Sequence, residues 1–142
     1  MAVKKHKLDM AIDEDFCLLG MVTDEPDYKL CWLINRAFAT NFIRLEDLIL
    51  YNRKHKSDQQ FSIFSFTDED AQLTYRIINN KADKGHFLDE VKNLDYLVHI
   101  QGEIYAEKIS TFLQGANSIP EVRMCVPVEL AKIRNLERLL LW

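Results

Sequence analysis

The chain has 142 residues, of which 48% are apolar and 28% charged, with only four glycines and three prolines. That length suits one domain with a sizeable core, and the composition excludes disordered, collagen-like and low-complexity chains. Eighteen basic against 22 acidic residues give a net charge of −4, which argues against a dedicated nucleic-acid binder.

The chain begins with the basic run Lys4-Lys5-His6-Lys7, and residues 1–6 are expected to form a flexible arm of one domain spanning 1–142. No signal-peptide core follows, because Asp9, Asp13, Glu14 and Asp15 interrupt the apolar residues. No apolar run reaches the roughly 18 residues of a membrane span, so the expected location is the cytoplasm. Leu8, Met10 and Ile12 alternate as in a strand, with a helix as the competing reading since Leu8 and Ile12 are four apart.

Residues 16–22 are apolar throughout and predict a central strand buried on both faces. A helix is predicted from Asp24 to about Ala39, with Asp24 as cap, Pro26 in the first turn and Asn41 closing it. Leu30, Leu33, Ile34, Ala37 and Phe38 form its inner stripe. Trp32 falls about 200° from Leu30 on the helical wheel, with Tyr28 about 40° from Trp32. An aromatic pair opposite the buried stripe points to a second contact surface: the tail or a loop of the same chain, another subunit, or a ligand.

Residues 42–50 read as a strand or strand plus turn, with Ile43 and Leu45 alternating against Arg44 and Glu46. Residues 51–60 are the most polar stretch and read as a loop. Residues 61–66 and 73–78 read as a β-hairpin closed by residues 67–72. Asn79, Asn80 and Lys81 open a second loop ending near Gly85. A strand over 95–101 places Tyr96, Val98 and Ile100 on one face and His99 on the other. A second helix over 103–114 carries Tyr105, Ile109, Phe112, Leu113 and Ala116 on its stripe, with Gly115 and Asn117 as stop signals. Residues 122–128 alternate as a strand whose Pro127 confines it to an edge or end. The tail from Glu129 reads as a short helix, and its ending Leu139-Leu140-Leu141-Trp142 is too apolar to float free.

This order predicts an α+β fold: a two-layer sandwich in which a mainly antiparallel sheet carries two main helices on one face, with a short C-terminal helix. Its core follows a βαββαβ split with additions.

Motifs that carry chemistry are sparse. The glycines are isolated, so no phosphate-binding loop is present. Cys17, Cys31 and Cys125 lie among apolar residues without a Cys-x-x-Cys pair, which points to reduced, partly buried thiols and to no metal or other cofactor. No catalytic residue is assigned. His99 reads as a structural histidine, and a pocket gathering His99, Arg76 and a carboxylate is what an enzyme or ligand-binding alternative requires. The acidic clusters Asp13-Glu14-Asp15 and Asp68-Glu69-Asp70 read as solvated turns. Arg53-Lys54-His55-Lys56 reads as a solvated loop, since no aromatics interleave with it. The candidate interface residues are Tyr28, Trp32, Leu141 and Trp142, and the partner expected is a second copy, forming a homodimer.

Several segments in order resemble the bacterial IPExxVDY family. They are Asp15 to Gly20, Asp27-Tyr28-Lys29-Leu30, Leu33-Ile34-Asn35, Phe61-Ser62-Ile63-Phe64-Ser65-Phe66, Tyr75 to Lys81 and Leu94-Asp95-Tyr96. Leu94-Asp95-Tyr96 stands for the second half of the naming motif, and Leu88-Asp89-Glu90 precedes it. The family has no assigned activity, so the resemblance implies no catalytic residues. The missing catalytic motifs, the aromatic off the helical stripe and the apolar C-terminus point instead to a non-catalytic interaction or structural module, with an enzyme or small-ligand binder as the alternative.

Overall fold

A computed structural model describes residues 16–142. The strand expected at residues 8–12, the basic run of residues 4–7 and the acidic cluster at 13–15 lie outside the described residues. The fold is α+β, with a mainly antiparallel sheet and two α-helices.

The continuous apolar run becomes β1 (Phe16–Thr23), and alternate residues enter two different cores. Cys17, Leu19 and Met21 join the core beneath the helices, while Phe16 and Leu18 join a second core on the opposite face. A run apolar on both sides is what a strand covered on both faces requires.

Helix α1 (Asp27–Phe38) follows, shorter at its start than the sequence predicts. Asp24 does not cap it, because the Asp24 carboxylate pairs with Arg123 and the capping position falls to Pro26. Leu30, Cys31, Leu33 and Ile34 are the buried residues, whereas Ala37 is exposed. The helix closes at Ala39, whose φ of 54° is left-handed. Asn35, not Asn41, ties down the exit: its side chain accepts the Phe42 N–H at 2.7 Å and donates to the Phe42 carbonyl at 3.2 Å.

The chain then forms β2 (Ile43–Arg44), a short edge strand on which the Ile43 and Leu45 alternation marks no buried face. Phe42 carries the burial instead. The polar stretch read as a loop is half of a hairpin: β3 (Leu48–Asn52) pairs with β4 (Ser57–Phe61). Its polarity misleads because Asp58 and Gln60 point outward while Gln59 is buried and satisfied, donating to the Lys84 carbonyl at 2.5 Å and accepting from Arg138 at 3.0 Å.

The expected second hairpin is present as β5 (Ile63–Asp68) and β6 (Leu73–Asn79), paired from Ile63↔Ile78 to Asp68↔Leu73. The loop after β6 contains the two-residue strands β7 (Lys81–Ala82) and β8 (Gly85–His86), then a 3-10 turn at Asp89–Val91. β9 (Tyr96–Gly102) leads to α2 (Ala106–Asn117) and β10 (Val122–Pro127).

The main sheet has the order β10-β1-β9-β6-β5-β2. Every neighbouring pair is antiparallel. β1 and β6 therefore run parallel with β9 between them, and β9 and β10 run parallel with β1 between them. These are two interleaved βαβ units, the split arrangement expected, with β2 to β5 inserted after α1. β10 is an edge strand and ends at Pro127, as its missing N–H requires.

Both helices cover the face carrying Leu19, Tyr75, Tyr96 and Val98. The other face is covered by the β3–β4 hairpin, the loop after β6 and the tail. The short C-terminal helix takes the form of two 3-10 turns, Leu130–Lys132 and Leu136–Leu139. Arg138 pins the tail, donating to the Phe87 carbonyl at 2.9 Å and to Gln59.

Gly115 does not stop α2 but lies inside it, because the Phe38 ring rests against it. A Cβ built there would meet that ring at 2.4 Å. Gly115→Ala should therefore destabilise the fold by about 1–2 kcal/mol in urea unfolding, although alanine gains about 1 kcal/mol in helix propensity. A stabilised variant would show that the helix–helix seam yields freely.

Candidate functional site

Residues 28, 32 and 36 of α1 are four apart and stack along its outer surface. The inner stripe fixes this geometry: burying Leu30, Leu33 and Ile34 turns Tyr28 and Trp32 outward, at 70% and 53% exposed. The Arg36 guanidinium lies 5.3 Å from the centre of the Trp32 ring. The result is a ridge of tyrosine, tryptophan and arginine, the residue types that dominate protein–protein hot spots. The sequence marks the two aromatics; Arg36 is found only by extending the same four-residue spacing one step.

The other two candidate interface residues lie elsewhere. Leu141 is exposed, but the tail that carries it packs on the sheet face opposite α1. Trp142 is half-buried in that second core. Its ring lies 4.9 Å from His99, and the Arg76 guanidinium sits 4.7 Å from its centre. Tyr28 and Trp32 thus share one surface, while Leu141 and Trp142 belong to another.

His99 and Arg76 are brought together as cross-strand partners. Phe16 stacks on His99 at 4.8 Å, and Gln101 accepts from Arg76 at 2.8 Å. His99 is 1% exposed, and its Nε2–H donates to the Leu139 carbonyl at 3.1 Å. Burial, reinforced by the Arg76 charge, lowers its pKa to about 4. A general base needs a path to substrate and a pKa near the working pH, and this ring has neither. The thiols are similarly placed. All three are buried, and burial pushes Cys17 and Cys125 up to about 12, so neither supplies a thiolate near neutral pH.

The Asp95-Tyr96 pair enters β9 and staples the loop between β1 and α1. One Asp95 oxygen accepts the Thr23 N–H at 3.0 Å and the other meets Lys81 at 2.5 Å. The Tyr96 hydroxyl donates to the Glu25 carbonyl at 2.8 Å. This pair sets where α1 begins and hence how its ridge is presented.

Arg53, Lys54, His55 and Lys56 form the exposed tip of the β3–β4 hairpin. Asp68 accepts the Ala71 N–H at 3.1 Å, holding the turn between β5 and β6. Among the described residues no three His, Cys, Asp or Glu side chains gather to hold a metal, and no helix is long and apolar enough to cross a membrane. A concavity of about 710 Å³ is an open polar groove where Arg44, Lys81 and Lys84 are interspersed with Asp27, Asp47, Asp58 and Asp83. Charges so mixed select no one sign of ligand.

No family model, curated protein or solved structure matches the chain.

Proposed function

We propose that this chain is a cytoplasmic, non-catalytic interaction module that self-associates through the outer ridge of α1. The observation that carries the reading is the exposed line Tyr28, Trp32, Arg36. The ridge is complementary to itself under a two-fold axis. Two copies of α1 crossing antiparallel at Trp32 would bring each tryptophan to its equivalent. Each Arg36 would then face the partner's Tyr28, where a cation–π contact contributes about 0.5–2 kcal/mol. The burial of His99 and the thiols supports a role without covalent chemistry. Asp95 and Tyr96, the residues that resemble the end of the IPExxVDY motif, make structural hydrogen bonds here.

Size-exclusion chromatography with light scattering tests this. The wild-type chain should be a dimer at about 100 μM, and Trp32→Ala, which removes the central tryptophan from both copies, should weaken dimerisation by at least about 10–100-fold. A wild-type chain that stays monomeric at millimolar concentration, or a Trp32→Ala dimer of unchanged affinity, would overturn the reading.

A further inference from the structure

Five aromatic rings converge where the end of α1, α2 and the β5–β6 hairpin meet. Phe38 comes from α1, Phe42 from the segment after it, Phe66 from β5, Tyr75 from β6 and Phe112 from α2. Phe112 stacks on Phe38 at 4.9 Å and on Tyr75 at 5.6 Å, and Phe42 lies 5.4 Å from Phe66. Together they line an open pocket of about 150 Å³. That is the size of an apolar cavity that takes one benzene-sized ring.

The polar groups at the mouth are unequal. Thr40 and Thr111 are committed, donating to Asn35 at 3.0 Å and to the Glu107 carbonyl at 2.8 Å. Asp68 is half-buried and uses one oxygen to accept the Ala71 N–H. Its other oxygen and the Tyr75 hydroxyl make no hydrogen bond among the described residues. Asp68 and Tyr75 line the same pocket, and the Tyr75 pKa is raised by burial first and then by the Asp68 charge. Lys108 also reaches the mouth, but its side chain is exposed and makes no ion pair among the described residues. The half-buried charge at the mouth, held by the Ala71 N–H, is therefore negative, and the exposed one is positive.

We infer that this pocket is a binding site for a small aromatic amine, its ring against Phe42, Phe66, Tyr75 and Phe112 and its ammonium on Asp68. A ring supplies the shape that fills an aromatic pocket, and an ammonium supplies the donors that Asp68 lacks. This site is separate from the α1 ridge and does not depend on self-association.

Titrations of the full chain with benzylamine, benzyl alcohol, phenylacetate and tetramethylammonium, followed by amide chemical shifts in NMR, test it. Benzylamine should bind with a Kd of about 1 mM, within reach of a ligand of this size, and about 10-fold more tightly than phenylacetate. Asp68→Asn keeps the acceptor for Ala71 and should bring benzylamine and benzyl alcohol within about 2-fold of each other. Lys108→Ala should tighten benzylamine by a few-fold, since it removes a like charge. Trp32→Ala should leave binding unchanged, which separates failure of this site from failure of the dimer. Tighter binding of phenylacetate, tightest binding of tetramethylammonium, or no saturable shift with benzylamine would each overturn the assignment.

Discussion

Asn80→Ala is expected to remove about 3–5 kcal/mol of stability, enough to unfold a marginal domain. Asn80 is fully buried immediately after β6. Its amide nitrogen donates to the carbonyls of Val91 at 3.0 Å and Leu94 at 2.9 Å, and its side-chain oxygen accepts the Leu88 N–H at 2.9 Å. Its backbone continues the pattern, donating to Asp95 and accepting from Phe87. One side chain thus satisfies the Leu88 N–H and the Leu94 carbonyl, which would otherwise be buried unpaired, and adds a second bond to the Val91 carbonyl, which already accepts the Leu94 N–H. Truncation abandons the Leu88 N–H and the Leu94 carbonyl, and each costs about 1–3 kcal/mol when left without a partner. The loop also carries Phe87, Leu88 and Leu94 into the second core, so its loss propagates to the tail. Urea unfolding of wild type and variant measures the difference, and hydrogen exchange at the Leu88 amide localises it. A loss under about 1 kcal/mol would mean that the loop holds itself by apolar packing alone.

The parts of this fold legible in the sequence are those whose signal is local. The unbroken apolar run of β1, the 3–4 spacing of Leu30, Leu33 and Ile34, and the alternation in β9 each record burial within one element. Pro127 announces an edge for a chemical reason that no tertiary context alters. What escapes the sequence depends on partners far along the chain. Gln59 looks like a loop residue until Arg138 and Lys84 supply its hydrogen bonds. Gly115 looks like a stop until Phe38 arrives to occupy the space of its missing side chain. Asp24 looks like a cap until Arg123 claims it. Asn80 carries no signal at all, because asparagine at the start of a loop is ordinarily solvated.

The candidate sites divide in the same way. Tyr28 and Trp32 are legible because a helical wheel places them opposite their own buried stripe. That Leu141 and Trp142 lie across the sheet from them is set by the tail's choice of face, which no spacing encodes. The aromatic pocket draws Phe38, Phe42, Phe66, Tyr75 and Phe112 from separate segments, so no short motif contains it. Phe38 and Phe112 are read as buried from helical spacing, whereas nothing in the spacing singles out Phe42, Phe66 or Tyr75, and only the convergence of all five leaves a space.

Acid should weaken this fold from about pH 6.5 downward, and His99 should account for about 2 kcal/mol of the loss by pH 5. Burial holds its folded pKa near 4, below the usual value near 6.5. Between those values the unfolded chain takes up a proton that the folded chain refuses, so stability is fully present above the unfolded pKa and falls as pH drops. The cause is visible around the ring. Nε2–H already serves Leu139, whereas Nδ1 is buried with no partner. Protonating Nδ1 would therefore bury an unpaired N–H and a positive charge beside Arg76, between the rings of Phe16 and Trp142. His99→Gln offers a donor for Leu139 but has no proton to gain. It should be less stable than wild type at pH 7.5 by about 1–2 kcal/mol and yet show a flatter decline between pH 7.5 and 5. Urea unfolding across that range reads the slope. With Trp32→Phe as background, Trp142 emission reports whether the tail lifts as the ring is charged. Equal slopes in the two proteins would assign the acid sensitivity to the carboxylates, and the tail would then rest on His99 by packing alone.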